Sequence, residues 1–252
     1  MKSTGLFDMH CHIVPCVDDG AASLEEAVKM VEAEYKQGVR RIIVTPHFRK
    51  GMFEPSALEV KKQFQLLRKT VWEINKDIRL YLGCELYASE DMISQLDSRC
   101  AVAMAGSKYV LTELHEFVAA SQVRRYLGLL LSDGYRPVIA HAERYECMRK
   151  DIKLIEDMIA MGALIQLNAD SIVGKNGYAV RKFCKKLLKE GKVHFVGSDC
   201  HGIKRRVSRI GDAHDYICKK YGKEYADEIF VYNPQMILEN ARQRRAGIKR
   251  TI

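Results

Sequence analysis

The chain has 252 residues, 47% of them hydrophobic, which excludes a mostly disordered protein and suits one large α/β domain or two small ones. Its formal charge of +9 suits anionic partners (nucleic acid, anionic lipid or an acidic substrate) without choosing among them, and solubility is the plain alternative. There is no run of about 18 apolar residues, and the opening segment carries Asp8, Asp18 and Asp19 without an apolar stretch, so neither membrane insertion nor a signal peptide is expected.

Taken in chain order, short apolar runs alternate with longer helical patterns. Leu6-Phe7 leads into Asp8, His10 and His12. A helix is predicted over 24–37, with Leu24, Ala27, Val28, Val31 and Tyr35 near helical period. Ser23 and Glu26 read as its capping box and Gly38 as its stop. Strands are predicted over 41–45, 78–82, 109–112, 137–140, 164–167 and 194–196, and further helices over 56–75, 121–133, 151–161, 178–191, 209–221 and 234–242. This rhythm predicts a parallel sheet or barrel, and the apolar strands suit burial on both faces. The excess positive charge lies late, at Lys185-Lys186, Lys204-Arg205-Arg206 and a basic tail over 242–250.

Polar residues cluster where the strands end. His47, Glu85, Glu113, His141, Asn168 and Asp199 each follow an apolar run, as His10 and His12 follow the first. Ligands of parallel α/β folds bind at such carboxyl ends. In Asp8-Met9-His10-Cys11-His12, an extended backbone sends both imidazoles to one side, and Asp199-Cys200-His201 repeats the pattern. Imidazole and carboxylate suit borderline divalent ions, and so many donors suggest two or three of them, clustered to clamp a phosphate and activate water. Cys11 and Cys200 should then point away and pack as small apolar residues. The eight cysteines form no CxxC pair, so reduced thiols and a cytoplasmic location are expected.

DMHCH, TPH, GCELY, AHAERY and GSDCH together resemble the PHP superfamily, named for polymerase and histidinol phosphatase domains. The stretches from Ile13-Val14-Pro15 to Asp18-Asp19-Gly20, from Ala140 to Tyr145, and Asn233-Pro234 resemble one branch of it: the manganese-dependent protein-tyrosine phosphatases of bacterial capsule and exopolysaccharide clusters. The resemblance spans nearly the whole chain. It implies one domain over 1–252, a distorted (β/α)7 barrel of the PHP type, and a trinuclear site. The implied metal ligands are His10, His12, His47, Glu85, Glu113, His141, Asp199 and His201, with Glu85 bridging. Asp19 takes the place of an acid that protonates the leaving group, and Arg144 and Arg206 the place of phosphate-holding arginines, with Arg206 preferred over its neighbour Arg205. The implied cofactor is Mn2+ (Fe, Zn, Co and Mg being the alternatives), the reaction direct hydrolysis by metal-activated water, and the partner a bacterial tyrosine kinase with a tyrosine-rich tail.

Competing readings remain. The same metal site serves a small-molecule phosphatase acting on histidinol phosphate. Cys200 and Arg206 match a bare Cys-x5-Arg spacing of thiol phosphatases. Arg242, Arg244, Arg245, Lys249 and Arg250 invite a nucleic-acid reading, but no aromatic residues interleave there for stacking, so no nucleic acid is expected. Asp18 reads as a turn residue and Asp8 as a support for a histidine; Asn168 reads as a substrate contact, His115 and Glu116 as rim, and His194 and His214 as structural. Phe48, Met52 and Phe53 lie on a loop over the site, where they either bracket a substrate ring or pack under the next helix.

Overall fold

A computed structural model describes residues 5–247; the expected basic residues Lys249 and Arg250 lie outside the described residues. Nine short strands run β1 (Leu6–Asp8), β2 (Val39–Val44), β3 (His47–Phe48), β4 (Arg79–Leu82), β5 (Glu85–Tyr87), β6 (Tyr109–Glu113), β7 (Arg136–Ile139), β8 (Leu164–Asn168) and β9 (Phe195–Gly197). Every strand pairing among them is parallel, in the orders β1-β2-β4 and β3-β5-β6-β7-β8-β9.

β2 with β3, and β4 with β5, are single strand paths interrupted at Thr45-Pro46 and Gly83-Cys84. Pro46 has no N–H to give the ladder, which breaks it there. Gly83 N–H to Val44 O at 2.9 Å and Glu85 N–H to Pro46 O at 3.0 Å carry the pairing across both gaps. The nine pieces therefore follow seven paths. The last meets the first: Asp199 N–H bonds His10 O at 2.8 Å, His12 N–H bonds Cys200 O at 2.9 Å, and Cys11 and Cys200 form a parallel bridge. The sequence-based expectation of a distorted, seven-stranded α/β barrel holds.

The period-two alternation of strands builds the site. On β6 the inward row climbs Tyr109, Leu111, Glu113; on β8 Leu164, Gln166, Asn168; on the β9 path Phe195, Gly197, Asp199. Each row is apolar low in the barrel and polar at the top. The low layer joins Phe7, Met9, Ile43, Val138 and Phe195. The helix Asn233–Arg245 plugs that end with Ile237, Leu238 and Ala241. Fully burying a Phe in such a layer contributes about 1.5–3 kcal/mol.

Helices cover the outside, and the larger apolar cluster lies between them and the sheet. Ser23 caps the helix Leu24–Lys36 as expected, accepting from Glu26 N–H at 3.2 Å, but the Glu26 carboxylate reaches back to Ala22 N–H rather than Ser23. The described part of the basic tail is helical, with Arg242, Arg244 and Arg245 in its last turn. All eight cysteines are free.

Candidate metal centre

At the top of the barrel the other seven expected ligand residues gather around Glu85, four imidazoles directly against it. Its Oε2 lies 3.2 Å from His10 Nε2, 3.3 Å from His12 Nε2 and 3.1 Å from His47 Nδ1, and its Oε1 2.8 Å from His141 Nε2. Asp199 Oδ1 stands 3.6 Å from His10 Nε2 and 3.5 Å from His12 Nε2. Glu113 Oε2 lies 3.7 Å from His47 Nδ1. His201 Nε2 and His47 Nε2 both face Asp19 Oδ1, at 3.4 and 3.5 Å. Three overlapping groups of ligand atoms result: His12, Asp19, His47 and His201; His10, His12, Glu85 and Asp199; and His47, Glu85 and Glu113. His141 joins through Glu85 and, at 4.0 Å, Glu113.

Supporting side chains fix the tautomers. His12 Nδ1 donates to Asp18 Oδ2 at 2.8 Å, and His10 Nδ1 to Gln166 Oε1 at 3.2 Å. Both Nε2 lone pairs are thereby turned toward each other, 3.3 Å apart. His201 Nδ1 donates to Asp199 O at 3.0 Å, leaving its buried Nε2 bare. Glu85 Oε2 is likewise buried without a hydrogen-bond donor. Facing lone pairs, orphaned buried acceptors and four carboxylates in one pocket repel one another unless cations sit among them. The donor set therefore fits divalent metals.

The electrostatics agree. Burial opposes charge on His10 and His12, but Glu85 and Asp199 beside the first, and Asp18 beside the second, raise both above the ordinary histidine range. Burial works against ionised Glu85 and Asp199 as well, yet His10 and the other imidazoles hold both well below the ordinary carboxylate range. Burial drops His47 to about 4. Glu113, desolvated and facing Glu85, rises to about 7. Asp19 is held low chiefly by the His201 imidazole beside it, 3.4 Å away. In this setting it is an ionised carboxylate among ligand atoms, which suits a metal ligand better than the acid expected from sequence.

The arginines divide. Arg206 gives Asp199 Oδ1 a hydrogen bond of 2.9 Å and approaches Asp19 Oδ2 at 3.6 Å; Arg144 reaches Asp199 Oδ2 at 3.2 Å. Arg205 is exposed, with no side-chain ion pair among the described residues. Both site arginines are about half exposed, with side-chain exposures of 50% and 42%, so their forks face the mouth.

Local backbone serves the site. His141 at φ 34°, Asp199 at φ 52° and Arg206 at φ 47° occupy the left-handed region that non-glycine residues avoid. A Cβ on Gly197 would lie 2.5 Å from His10 Cβ, so only glycine lets β9 approach the first strand this closely.

Sequence reasoning missed several supports. Asp18 does make the expected turn, accepting from Gly20 N–H at 3.0 Å, but it also holds the His12 ring and His47 N–H. Asp8 supports no imidazole; it takes Ser198 N–H at 2.9 Å and His10 N–H at 3.2 Å, locking the closing seam. Gln166 orients His10 and the His141 backbone, and its one signal was a lone amide in an apolar strand. Asn168 spends both ends of its amide on Gln166 and Asp199 and is a support rather than a substrate contact. Tyr145 takes Leu114 N–H at 2.9 Å behind His141.

His115 and Glu116 are exposed beside the Glu113 strand end, as a rim requires. His194 bonds Ile165 N–H, and His214 packs edge-on to Phe230. The loop aromatics split: Phe48 is core, Met52 is exposed, and Phe53 stacks on His47 at 5.1 Å between centroids. Cys200 turns away from the pocket, its Sγ 3.8 Å from Glu34 Oε1, and both Cys11 and Cys200 pack in the apolar cluster.

Comparison with known proteins follows this geometry. Residues 6–239 match the family model described as capsular polysaccharide synthesis, CpsB/CapC. The tyrosine-protein phosphatase CpsB of Streptococcus pneumoniae is 35% identical over 238 residues, 92% of this chain and 98% of that one. The tyrosine-protein phosphatase YwqE of Bacillus subtilis is 32% identical over 242 residues, covering 94% and 90%. A solved structure from a study of YwqE and CpsB, described there as unique metal-dependent tyrosine phosphatases, superposes with TM-score 0.82 at 29% identity over 94% of this chain and 93% of that one. The phosphotriesterase of Mycobacterium tuberculosis, at TM-score 0.62 and 12% identity over 94% of each chain, shares the fold alone.

Proposed function

The chain belongs to the CpsB/CapC family, and from that premise we propose that it is a metal-dependent protein-tyrosine phosphatase. The observation that carries this reading is the convergence of ligand-type side chains on Glu85, with two arginine forks at the mouth. Relatives matched over nearly their full length are named tyrosine-protein phosphatases. The histidinol phosphate alternative has no support from them.

We take His10, His12, His47, Glu85, Glu113, His141, Asp199 and His201 as the metal ligands and add Asp19 to that set. Mn2+ is our choice of metal, on the family resemblance. When bound, such ions activate water and neutralise developing charge on a phosphoryl group. Arg144 and Arg206 hold the phosphate; each now leans on Asp199 and retains donors of its fork for a substrate. Phe53, stacked on His47, supplies an aromatic wall for the departing phenol.

The physiological substrate is assigned to a bacterial tyrosine kinase tail, whose clustered phosphates suit a basic enzyme, with capsule or exopolysaccharide synthesis as the regulated process. We place the enzyme in the cytoplasm. Among the described residues no helix is long and apolar enough to cross a membrane. Ligands drawn from positions 10 to 201 suit one catalytic unit rather than two. The test is metal-stripped protein with Mn2+ restored, assayed on a phosphotyrosine peptide and on histidinol phosphate. Metal-dependent turnover that favours the peptide is expected; preference for histidinol phosphate would overturn the substrate while keeping the chemistry.

A further inference from the structure

A second concentration of charge lies at the other end of the barrel. β4 has a strand partner on one side only, β2, because β6 pairs with β5 instead. The turn Met104–Gly106 wedges against the open edge, and a cavity of about 570 Å³ remains there. Arg68, Arg99, Arg244 and Arg245 line it, delivered by three segments far apart in sequence.

No Asp or Glu lines this cavity, and among the described residues none of the four arginines forms an ion pair with a carboxylate. Arg244 donates to Ser107 O, and Arg245 donates to Ala105 O at 3.1 Å. Those bonds anchor two forks at the cavity edge while leaving other N–H groups of each unengaged. Four like charges gathered on one concavity repel unless an anion compensates them. The rest of the lining is mostly apolar and includes the aromatic rings of Phe64, Tyr81 and Tyr135.

We propose that this cavity binds an organic polyphosphate, a nucleoside di- or triphosphate, with the phosphates on the arginine forks and the base against the aromatic lining. Arginine forks match phosphate oxygens in pairs. The volume falls in the range of sites that enclose a whole small molecule, more room than orthophosphate fills. The site is separate from the metal centre, whose ligands occupy the opposite ends of the same strands, and it does not depend on the phosphatase reading.

The test is equilibrium dialysis of metal-loaded protein against radiolabelled ADP with magnesium in excess. Saturable binding is expected in the wild type, weakened about tenfold or more in Arg68→Glu/Arg99→Glu and unchanged in Arg206→Ala. Arg68 and Arg99 are exposed, so the double variant should keep wild-type melting and phosphatase activity, which separates lost binding from lost folding. Absence of saturable binding at millimolar ADP would overturn the proposal. So would binding that survives the double variant or that disappears in Arg206→Ala. Displacement of ADP by an equal concentration of orthophosphate would overturn the organic-ligand assignment.

Discussion

The two ends of the barrel solve opposite electrostatic problems. At the carboxyl ends of the strands, carboxylates and imidazoles crowd together, buried, and the His10 and His12 rings are each fixed by a second side chain. At the amino ends, guanidinium groups gather on an open concavity, two of them held by backbone carbonyls and Arg68 lying over the Phe64 ring. The top gathers short, buried donor side chains and suits compact cations. The bottom has long, mobile stems and suits a larger anion whose pose is set by shape. Rigidity and charge sign thus travel together, because a compact ion demands fixed ligands and an organic anion tolerates adjustable ones.

Removing the hub should separate the ends most sharply. Glu85→Gln should lose about 10³-fold or more in turnover of a phosphotyrosine peptide and lose bound metal, while leaving nucleotide binding at the bottom intact. Elemental analysis and peptide assays on one preparation check it. Retained metal with lost turnover would make Glu85 a group that acts on substrate rather than a ligand.

Acid should dissolve the contrast from the top. His10 and His12 have raised proton affinity in the folded, metal-free protein and must shed those protons to bind a cation. Metal affinity should therefore weaken as pH falls, by up to about 100-fold per unit if both titrate together. The same shifts stabilise the metal-free fold fully below the ordinary histidine value of 6.5, and that contribution is lost as pH rises through the folded values. The Tm gain from added Mn2+ should then grow from about pH 6 to about pH 8. A gain that shrinks with rising pH would mean that these imidazoles are not ligands.

Smaller effects grade the supports. Asp18→Asn and Gln166→Leu should each cost about 10–100-fold in metal affinity while keeping the fold, measured by competition with a chelating dye. Phe53→Ala should raise KM for an aryl phosphate severalfold and leave an alkyl phosphate unchanged; equal effects on both would reduce Phe53 to a packing role. Cys200→Ser should change turnover by less than about twofold, since its sulfur faces Glu34. A large loss there would revive a thiol mechanism.

How much of this the sequence revealed followed the same division. Top residues announce themselves because a His or carboxylate at the end of an apolar strand breaks a pattern, and Asp199-Cys200-His201 repeats the spacing of His10-Cys11-His12. Their supports were harder. Asp18 and Asp19 are chemically identical neighbours, and only the turn through Gly20 decides which one meets His12 and which faces His47 and His201. β3 and β5 escaped because Pro46 and the Gly83-Cys84 break cut the strand signal into pieces too short to read. The arginine cavity was invisible: Arg68, Arg99 and Arg244 lie far apart in the chain and meet only because a sheet edge is left open.

The seam between the first strand and the last makes assembly a matter of timing. During synthesis His10 and His12 emerge early, and Asp199 and His201 come almost 190 residues later, the Asp8–Ser198 lock itself spanning a separation of 190. At ordinary translation speeds that delay is on the order of ten seconds or more. Throughout it the nascent amino-terminal half exposes unpaired strand edges and half a metal site. An ion that grips both β1 and the β9 path would act as a clasp on a hoop, holding ends that chain entropy would otherwise let drift apart. Metal supply during growth would then govern how much of the protein reaches its closed form, as well as how active that form is.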